Sequence, residues 1–436
     1  MKLEQSPVSV RNLGRWTTWL ALGALAFSLV PQAHAGKDKK KKEQVQPSPV
    51  AANKPEKAPV DRTKIDLSKL VWPAPPDIAR IHMLAEILGE KVQKDPAPAA
   101  AAQPKKKPKQ SWMDRLAGVA PAQEQATTVQ GIKKHHKLLN PYGLAVDSKG
   151  RIYVADSGVD AVMIFDQEHD SFSLYRNGAA NFHFRNVIGL AVDDTDRLFI
   201  SDPDQHQITV VSPQGQVETV FGNGRELGRP TGLAIDNENR LLYVADTEHE
   251  QIAVYDADTY TRIRTIGKPS KDGDDCSGCF AKPTNVAVDD EGNLYVSDTL
   301  NWRVQMFDAD GDFIGMFGEH GAEPGMMAKP KGIAVDHDGH IWVVDGEQNR
   351  VQIFDKEGHL LAYFGGDGTW PGQFSLPTGI CIDKNNRVLV SDQLLGRVQV
   401  FRYLTDAEAA AAKADRDKAK TASKSTPEPQ TAEVKK

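Results

Sequence analysis

Cysteine is scarce in this chain, three residues in 436, and what is missing around those three closes off most cysteine chemistry. Cys276 and Cys279 form a C-x-x-C pair, but Phe280 stands where covalent haem attachment needs histidine. There is no second C-x-x-C and no paired-histidine motif to complete a four-ligand zinc site. A redox-active pair needs a helix N-terminus beneath its first cysteine, and this pair sits in a Gly/Asp-rich stretch. The reading that remains is a small disulfide stapling a loop in an oxidising compartment. Cys381 falls in a column of small residues and reads as a buried, inert thiol.

Long apolar runs are equally rare. The single candidate is Trp16 to Val30, preceded by Arg11 and Arg15 and followed by Ala33-His34-Ala35, a small-x-small signal-peptidase pattern that places cleavage between Ala35 and Gly36. No cysteine follows it, which excludes a lipid-anchored N-terminus of the bacterial lipoprotein type. Fifteen residues are short for a membrane span, so the expectation is an exported protein, periplasmic or extracellular, with no transmembrane span in the mature chain; an uncleaved anchor is the alternative. The net charge of −6 is unevenly divided, with an acidic C-terminal two-thirds and a basic N-terminal flank. An acidic domain argues against nucleic acid as partner, because affinity there rests on neutralising phosphates. Lys37, Lys39, Lys40, Lys41 and Lys42 could make peripheral contact with an anionic envelope or simply be solvated.

What the sequence does have is a repeat. A short apolar run closes on aspartate six times, at Asp156, Asp202, Asp246, Asp298, Asp345 and Asp392, with steps of 46, 44, 52, 47 and 47 residues. Ahead of each lies a run of the form P-x-G-φ-A-φ-D, as in Pro330-Lys331-Gly332-Ile333-Ala334-Val335-Asp336. Period-two alternation of β-branched and aromatic residues between Gly, Asp and Asn turns gives four short strands per repeat. A lone four-stranded sheet cannot bury both faces, so the copies are expected to stack radially as an all-β six-bladed propeller. Within the first strand, Ala145, Ala191, Ala234, Ala287, Ala334 and Cys381 are small where blades crowd the axis.

The sixth copy lacks its outer strand. Arg80 to Glu86 shares its pattern with the outer strand His359 to Phe364 and is expected to close the ring, a linker helix being the alternative. The chain thus divides into a signal peptide (1–35), a disordered Lys/Pro-rich linker (36–70), a ring-closing segment (71–94), an Ala/Pro/Lys linker with a short helix near Ser111 to Leu116 (95–130), the propeller (131–404) and a disordered or transiently helical tail (405–436).

The segments G-N-L-Y-V-S-D-T-x-N-x-R-V-Q-x-F from Gly292 to Phe307 and G-H-I-W-V-V-D-G-x-Q-N-R-V-Q-I-F from Gly339 to Phe354 resemble the NHL repeat family of six-bladed propellers. That resemblance implies a fold firmly and an activity hardly at all. Related amidating lyases hold zinc with histidines where outer strands lead into inner strands; the corresponding positions here, such as Asn140-Pro141-Tyr142 and Lys329-Pro330-Lys331, contain none. Lactonase-like propellers hold a divalent ion with Glu, Asn and Asp, and Asn285, alone in replacing the repeat glycine, is the one residue that resembles a member of that set. The six repeat aspartates read as turn-capping carboxylates, since a catalytic group is not needed in every blade. Asp272, Asp274 and Asp275 offer oxygen ligands that Ca²⁺ would accept, without the EF-hand pattern; a solvated acidic loop is the competing reading. His183 and His320 read as surface residues.

The function expected is a non-enzymatic scaffold in the cell envelope, with no cofactor, that binds another envelope protein or a small ligand on its loop face. The alternative is a metal-dependent hydrolase or lyase at the channel mouth. Intact-mass measurement of the exported product should find a chain beginning at Gly36; retention of the preceding residues would contradict the signal assignment.

Overall fold

The structure is a computed structural model that describes residues 65–74, 79–89, 136–176, 183–270 and 276–424. The signal segment with Ala35 and Gly36, the first linker as far as residue 64, the second linker and the Ser111 to Leu116 run lie outside the described residues, while Leu67–Lys69, expected to be disordered, is a 3-10 turn. Six antiparallel sheets follow one another along the chain. Their innermost strands are Pro141–Val146, Leu190–Val192, Pro230–Asp236, Pro283–Val288, Pro330–Val335 and Pro377–Ile382, and each touches the innermost strand of the next blade, the last meeting the first. The chain is a closed six-bladed propeller. In the fifth blade the order outward is Pro330–Val335, Ile341–Asp345, Arg350–Phe354 and Leu360–Gly365.

Registers explain the small-residue column. Ala145, Ala191, Ala234, Ala287 and Ala334 stand opposite Tyr153, Phe199, Tyr243, Tyr295 and Trp342 of the second strands. Crowding near the axis is therefore shared with a bulky cross-strand partner, the pairing that sets sheet energetics. These aromatics are buried, and covering each contributes roughly 1.5–3 kcal/mol. Cys381, opposite Leu389, is half-buried rather than fully covered because it lies on the channel wall.

Glycine in the inner strands has a different cause. A Cβ on Gly189 would lie 1.9 Å from the Thr231 carbonyl oxygen of the next blade, and one on Gly379 would lie 2.1 Å from that of Tyr142. Only glycine lets neighbouring inner strands approach so closely.

The sixth blade consists of Pro377–Ile382, Arg387–Asp392, Arg397–Tyr403 and, from far upstream, Ile81–Ile87, with Val71–Trp72 added as a fifth strand. Ile81 and Met83 are fully covered and join the core between the fifth and sixth blades. Trp72 packs on Phe364 and Phe401, with ring centroids 5.8 Å apart in both pairs. Sequence reading missed this second upstream strand, because two residues carry no periodicity.

In the tail, read as disordered or transiently helical, Asp406–Lys424 is an α-helix. Thr405 and Glu408 explain its start: the Thr405 hydroxyl accepts the Glu408 N–H while the Glu408 carboxylate accepts the Thr405 N–H, a capping box. Arg402 adds a 2.7 Å ion pair to Glu408, and Ala409 is buried.

Removing the upstream strands should unravel the last blade. Ile81→Ala and Met83→Ala are each expected to cost about 2–5 kcal/mol of stability, and a chain starting at residue 131 should lose its cooperative thermal transition. An unchanged melting temperature in that truncation would contradict ring closure.

Candidate functional site

The six repeat aspartates are fully buried at the ends of the second strands, and each carboxylate is occupied. Asp156 accepts the backbone N–H groups of Leu139 and Asn140 at 2.7 and 2.9 Å. Asp345 does the same for Ala328 and Lys329, Asp246 for Gly228 and Arg229, Asp202 for Arg185, Asp298 for Ala281 and Asp392 for Ser375. In every blade the acceptor captures the connection that arrives from the preceding blade, a charge-assisted use of a carboxylate. Burial keeps the Asp392 carboxyl above its ordinary range despite Arg397 beside it.

A second set of aspartates, Asp147, Asp193, Asp236, Asp289, Asp336 and Asp383, ends the inner strands and was given no role from sequence. They accept turn N–H groups, and three also hold the bulky residue of the second strand: Tyr153 Oη at 3.1 Å, Tyr295 Oη at 2.9 Å and Trp342 Nε1 at 2.9 Å. The signal was available in the D-x-x-x-R/N/H-x-Tyr/Trp spacing. Two acid–histidine clusters, Asp336-Asp338-His340 and Asp355-Glu357-His359, are of this turn type. In each, Nδ1 of the histidine lies 3.0 Å from the first aspartate, which also accepts the histidine's own backbone N–H. The bond to Asp336 raises the His340 pKa.

Around the axis the inner strands enclose a cavity of about 270 Å³. Its lining comes from all six blades and is built of Gly, Ala, Leu, Val and Ile with Tyr142, Thr284, Asn285 and Cys381; it includes no carboxylate and no imidazole. Burial pushes the Cys381 thiol up to about 12, so no thiolate is offered near neutral pH. Asn285 does reach the axis: its Oδ1 accepts the Val286 N–H and overlies Gly232 of the preceding blade. The Glu and Asp partners of a lactonase-like ion site are not on this wall.

The loop-face mouth is laced by hydroxyls. Thr231 Oγ1 pairs with Thr247 Oγ1 at 2.8 Å, and Thr247 Oγ1 donates to the Pro283 carbonyl of the next blade at 2.7 Å. Thr284 and Thr299 repeat the arrangement, with Thr299 Oγ1 donating to the Pro330 carbonyl at 2.7 Å. Ser201 and Ser391 bridge to Thr231 and Tyr142 carbonyls at 2.6 Å each. In the fifth blade the corresponding pair is Lys331 and Gly346. The Lys331 ammonium lies 5.5 Å from the Tyr142 ring centroid, across the sixth blade's inner strand. Burial lowers its pKa to about 8, with Lys329 adding to the effect.

The C-x-x-C stretch belongs to the connection into the fourth blade. Cys276 and Cys279 form a disulfide-bonded pair with Cα atoms 5.3 Å apart; Asp272, Asp274 and Asp275 lie outside the described residues. Arg303 Nη2 and Gln305 Nε2 donate to the Cys279 carbonyl at 2.9 and 2.8 Å, and Gln305 accepts the Gly278 N–H. Gln352 and Gln399 grip the next two connections in the same manner, at Gly325 and Gly372. The R-V-Q-x-F segment is thus a clamp for incoming connections. His183 and His320 are exposed, and His320 lies 4.5 Å from Trp302, ring to ring.

Two family models match parts of the chain. Residues 220–318 match the family described as SMP-30/Gluconolactonase/LRE-like region, and residues 327–354 match the NHL repeat. A probable peptidyl-alpha-hydroxyglycine alpha-amidating lyase of Caenorhabditis elegans is 35% identical over 108 residues, 24% of this chain and 30% of the relative. A gluconolactonase of Zymomonas mobilis is 25% identical over 205 residues, 42% of this chain and 55% of the relative. The chain therefore spans a third to about half of the length of these curated relatives. Among solved structures, a virginiamycin B lyase of Staphylococcus aureus is 14% identical with a TM-score of 0.46, over 62% of this chain and 97% of that one. A gluconolactonase of Xanthomonas campestris is 19% identical with a TM-score of 0.47, over 61% and 86%.

The clamp should matter more than the cross-link. The Cys276–Cys279 cross-link closes so short a loop in the unfolded chain that replacing both residues by serine should cost at most about 1–2 kcal/mol, whereas Gln305→Leu strands the Gly278 N–H and takes a donor from the Cys279 carbonyl and the buried Asp298 carboxylate, and should cost about 2–4 kcal/mol. Denaturant titration that reverses this order, or free thiols at both positions in the exported protein, would contradict the assignment.

Proposed function

We propose that this NHL-type six-bladed β-propeller is an exported, non-enzymatic binding scaffold, which engages an envelope protein or a small ligand at its loop face and channel mouth. One observation carries the reading: the axial cavity is walled by aliphatic side chains and inner-strand backbone, without carboxylate or imidazole. Its repeat aspartates point instead to backbone N–H groups that bind the fold together. No described helix is long and apolar enough to cross a membrane, which is compatible with export of the propeller.

The metal-dependent hydrolase or lyase is favoured by similarity to the gluconolactonase and the amidating lyase. Divalent ions of this kind need carboxylate or imidazole donors. Tyr142, Thr284 and Asn285 supply neutral oxygens, and Lys331 places a cation beside them. That donor set does not fit a resident divalent ion, so no step is routed through one.

The test is elemental analysis of the purified mature chain together with lactone-hydrolysis and amidating-lyase assays. Calcium and zinc well below one ion per chain are expected, with turnover no faster than the uncatalysed rate. A stoichiometric ion whose removal by chelator abolishes turnover would overturn the scaffold reading.

A further inference from the structure

At the mouth of the channel two successive blades make the same hydroxyl bridge, and the blade that follows them does not. In the third and fourth blades, a threonine on the inner strand pairs with a threonine just after the buried aspartate, and the second hydroxyl donates to the following blade: Thr247 to the Pro283 carbonyl and Thr299 to that of Pro330. The fifth blade has Lys331 and Gly346 at these two positions. The next carbonyl in the series is that of Pro377, and it lies 3.1 Å from where a Cβ on Gly346 would be. The place for the hydroxyl bridge is still there, but the residue that would make it is not. The Lys331 stem occupies the space instead, its Cδ 3.1 Å from the same Cβ position.

An ammonium in this position has a cost that the fold does not offset. Among the described residues Lys331 makes no ion pair with a carboxylate, and its ammonium rests on the Tyr142 ring, a weaker partner. Further cations stand on the same face: Lys329 precedes Lys331 by two residues and pushes on it electrostatically, and Arg229 acts on Tyr142 from the third blade. Arg229 has Asp204 at 3.3 Å and is exposed, whereas Lys331 is half-buried. A half-buried cation held without a carboxylate partner, with a second cation pushing on it, is a receptor for negative charge.

We infer that the fifth-blade sector of the channel mouth is an oxyanion site, in which the Lys331 ammonium, steadied on Tyr142, receives a carboxylate or phosphate group of a hydrophilic ligand. The inference rests on the binding reading above and supplies its ligand chemistry. Gly346 is the positioning residue, since any side chain there would displace the lysine stem.

Inorganic phosphate and acetate are the probes, applied separately to the full mature chain after reductive ¹³C-methylation of its lysines. The Lys331 resonance, assigned by its loss in Lys331→Arg, should titrate with a midpoint near 8 and move upward by about one pH unit, a tenfold effect, when either anion saturates the site. Sucrose should leave it in place. Response to phosphate alone would assign the site to phosphoryl ligands, and response to acetate alone to carboxylates. The double variant Lys331→Thr with Gly346→Thr gives the fifth blade the threonine pair of the third and fourth; it should fold, melt at or above the wild-type temperature, and lose the saturable anion-dependent rise in melting temperature that the wild type shows. Equal responses in wild type and double variant, or no saturable response to either anion, would overturn the site. A failed anion response in metal-free protein would leave the scaffold reading standing, whereas a catalytic axial ion beside an intact anion response would remove the scaffold reading alone.

Discussion

A buried carboxylate that accepts backbone N–H groups from an incoming connection is the interaction on which the molecule depends. It is made six times, once per blade, and each time it fixes the point at which the chain leaves one sheet and enters the inner strand of the next. Unpaired amides at this depth would be costly, and an unpaired carboxylate more so. Together they satisfy each other, so the turn and the strand end are ordered as a unit.

From that anchor the seams follow. Once inner strands are held at fixed positions, their backbones meet near the axis, and glycine at Gly189, Gly332 or Gly379 is what the contact distance permits. Threonine and serine hydroxyls then tie carbonyls of one blade to the next.

Much of this was legible in the sequence because a repeat reports its own errors. The spacing of Asp156 to Asp392 showed the blades, and the alternation in Arg80 to Glu86 pointed to the outer strand that the last copy lacks. What stayed hidden depends on tertiary neighbours. Val71–Trp72 is too short to carry a period, and the role of Gln305 emerges only when the Cys276 to Cys279 loop is seen against it. For the tail the sequence left disorder and a transient helix open, and the capping contacts of Thr405 and Glu408 are what start the helix Asp406–Lys424. Lys331 sat in plain view in the P-x-G column; its meaning came from Gly346, fifteen residues later, once the seams of the third and fourth blades explained what both positions do there.

The shared last blade also decides how the molecule bears load. Ile81 stands opposite Tyr403, and the Leu404 N–H reaches the Arg80 carbonyl at 2.7 Å, so the chain enters the upstream strand and leaves the last one at the same end of one strand pair. A pull between them would part this antiparallel pair from that end, breaking its hydrogen bonds one after another rather than all together in shear. The propeller is therefore a clasp whose weakest mechanical direction runs between its own two ends, while force applied across the other five blades meets whole sheets at once.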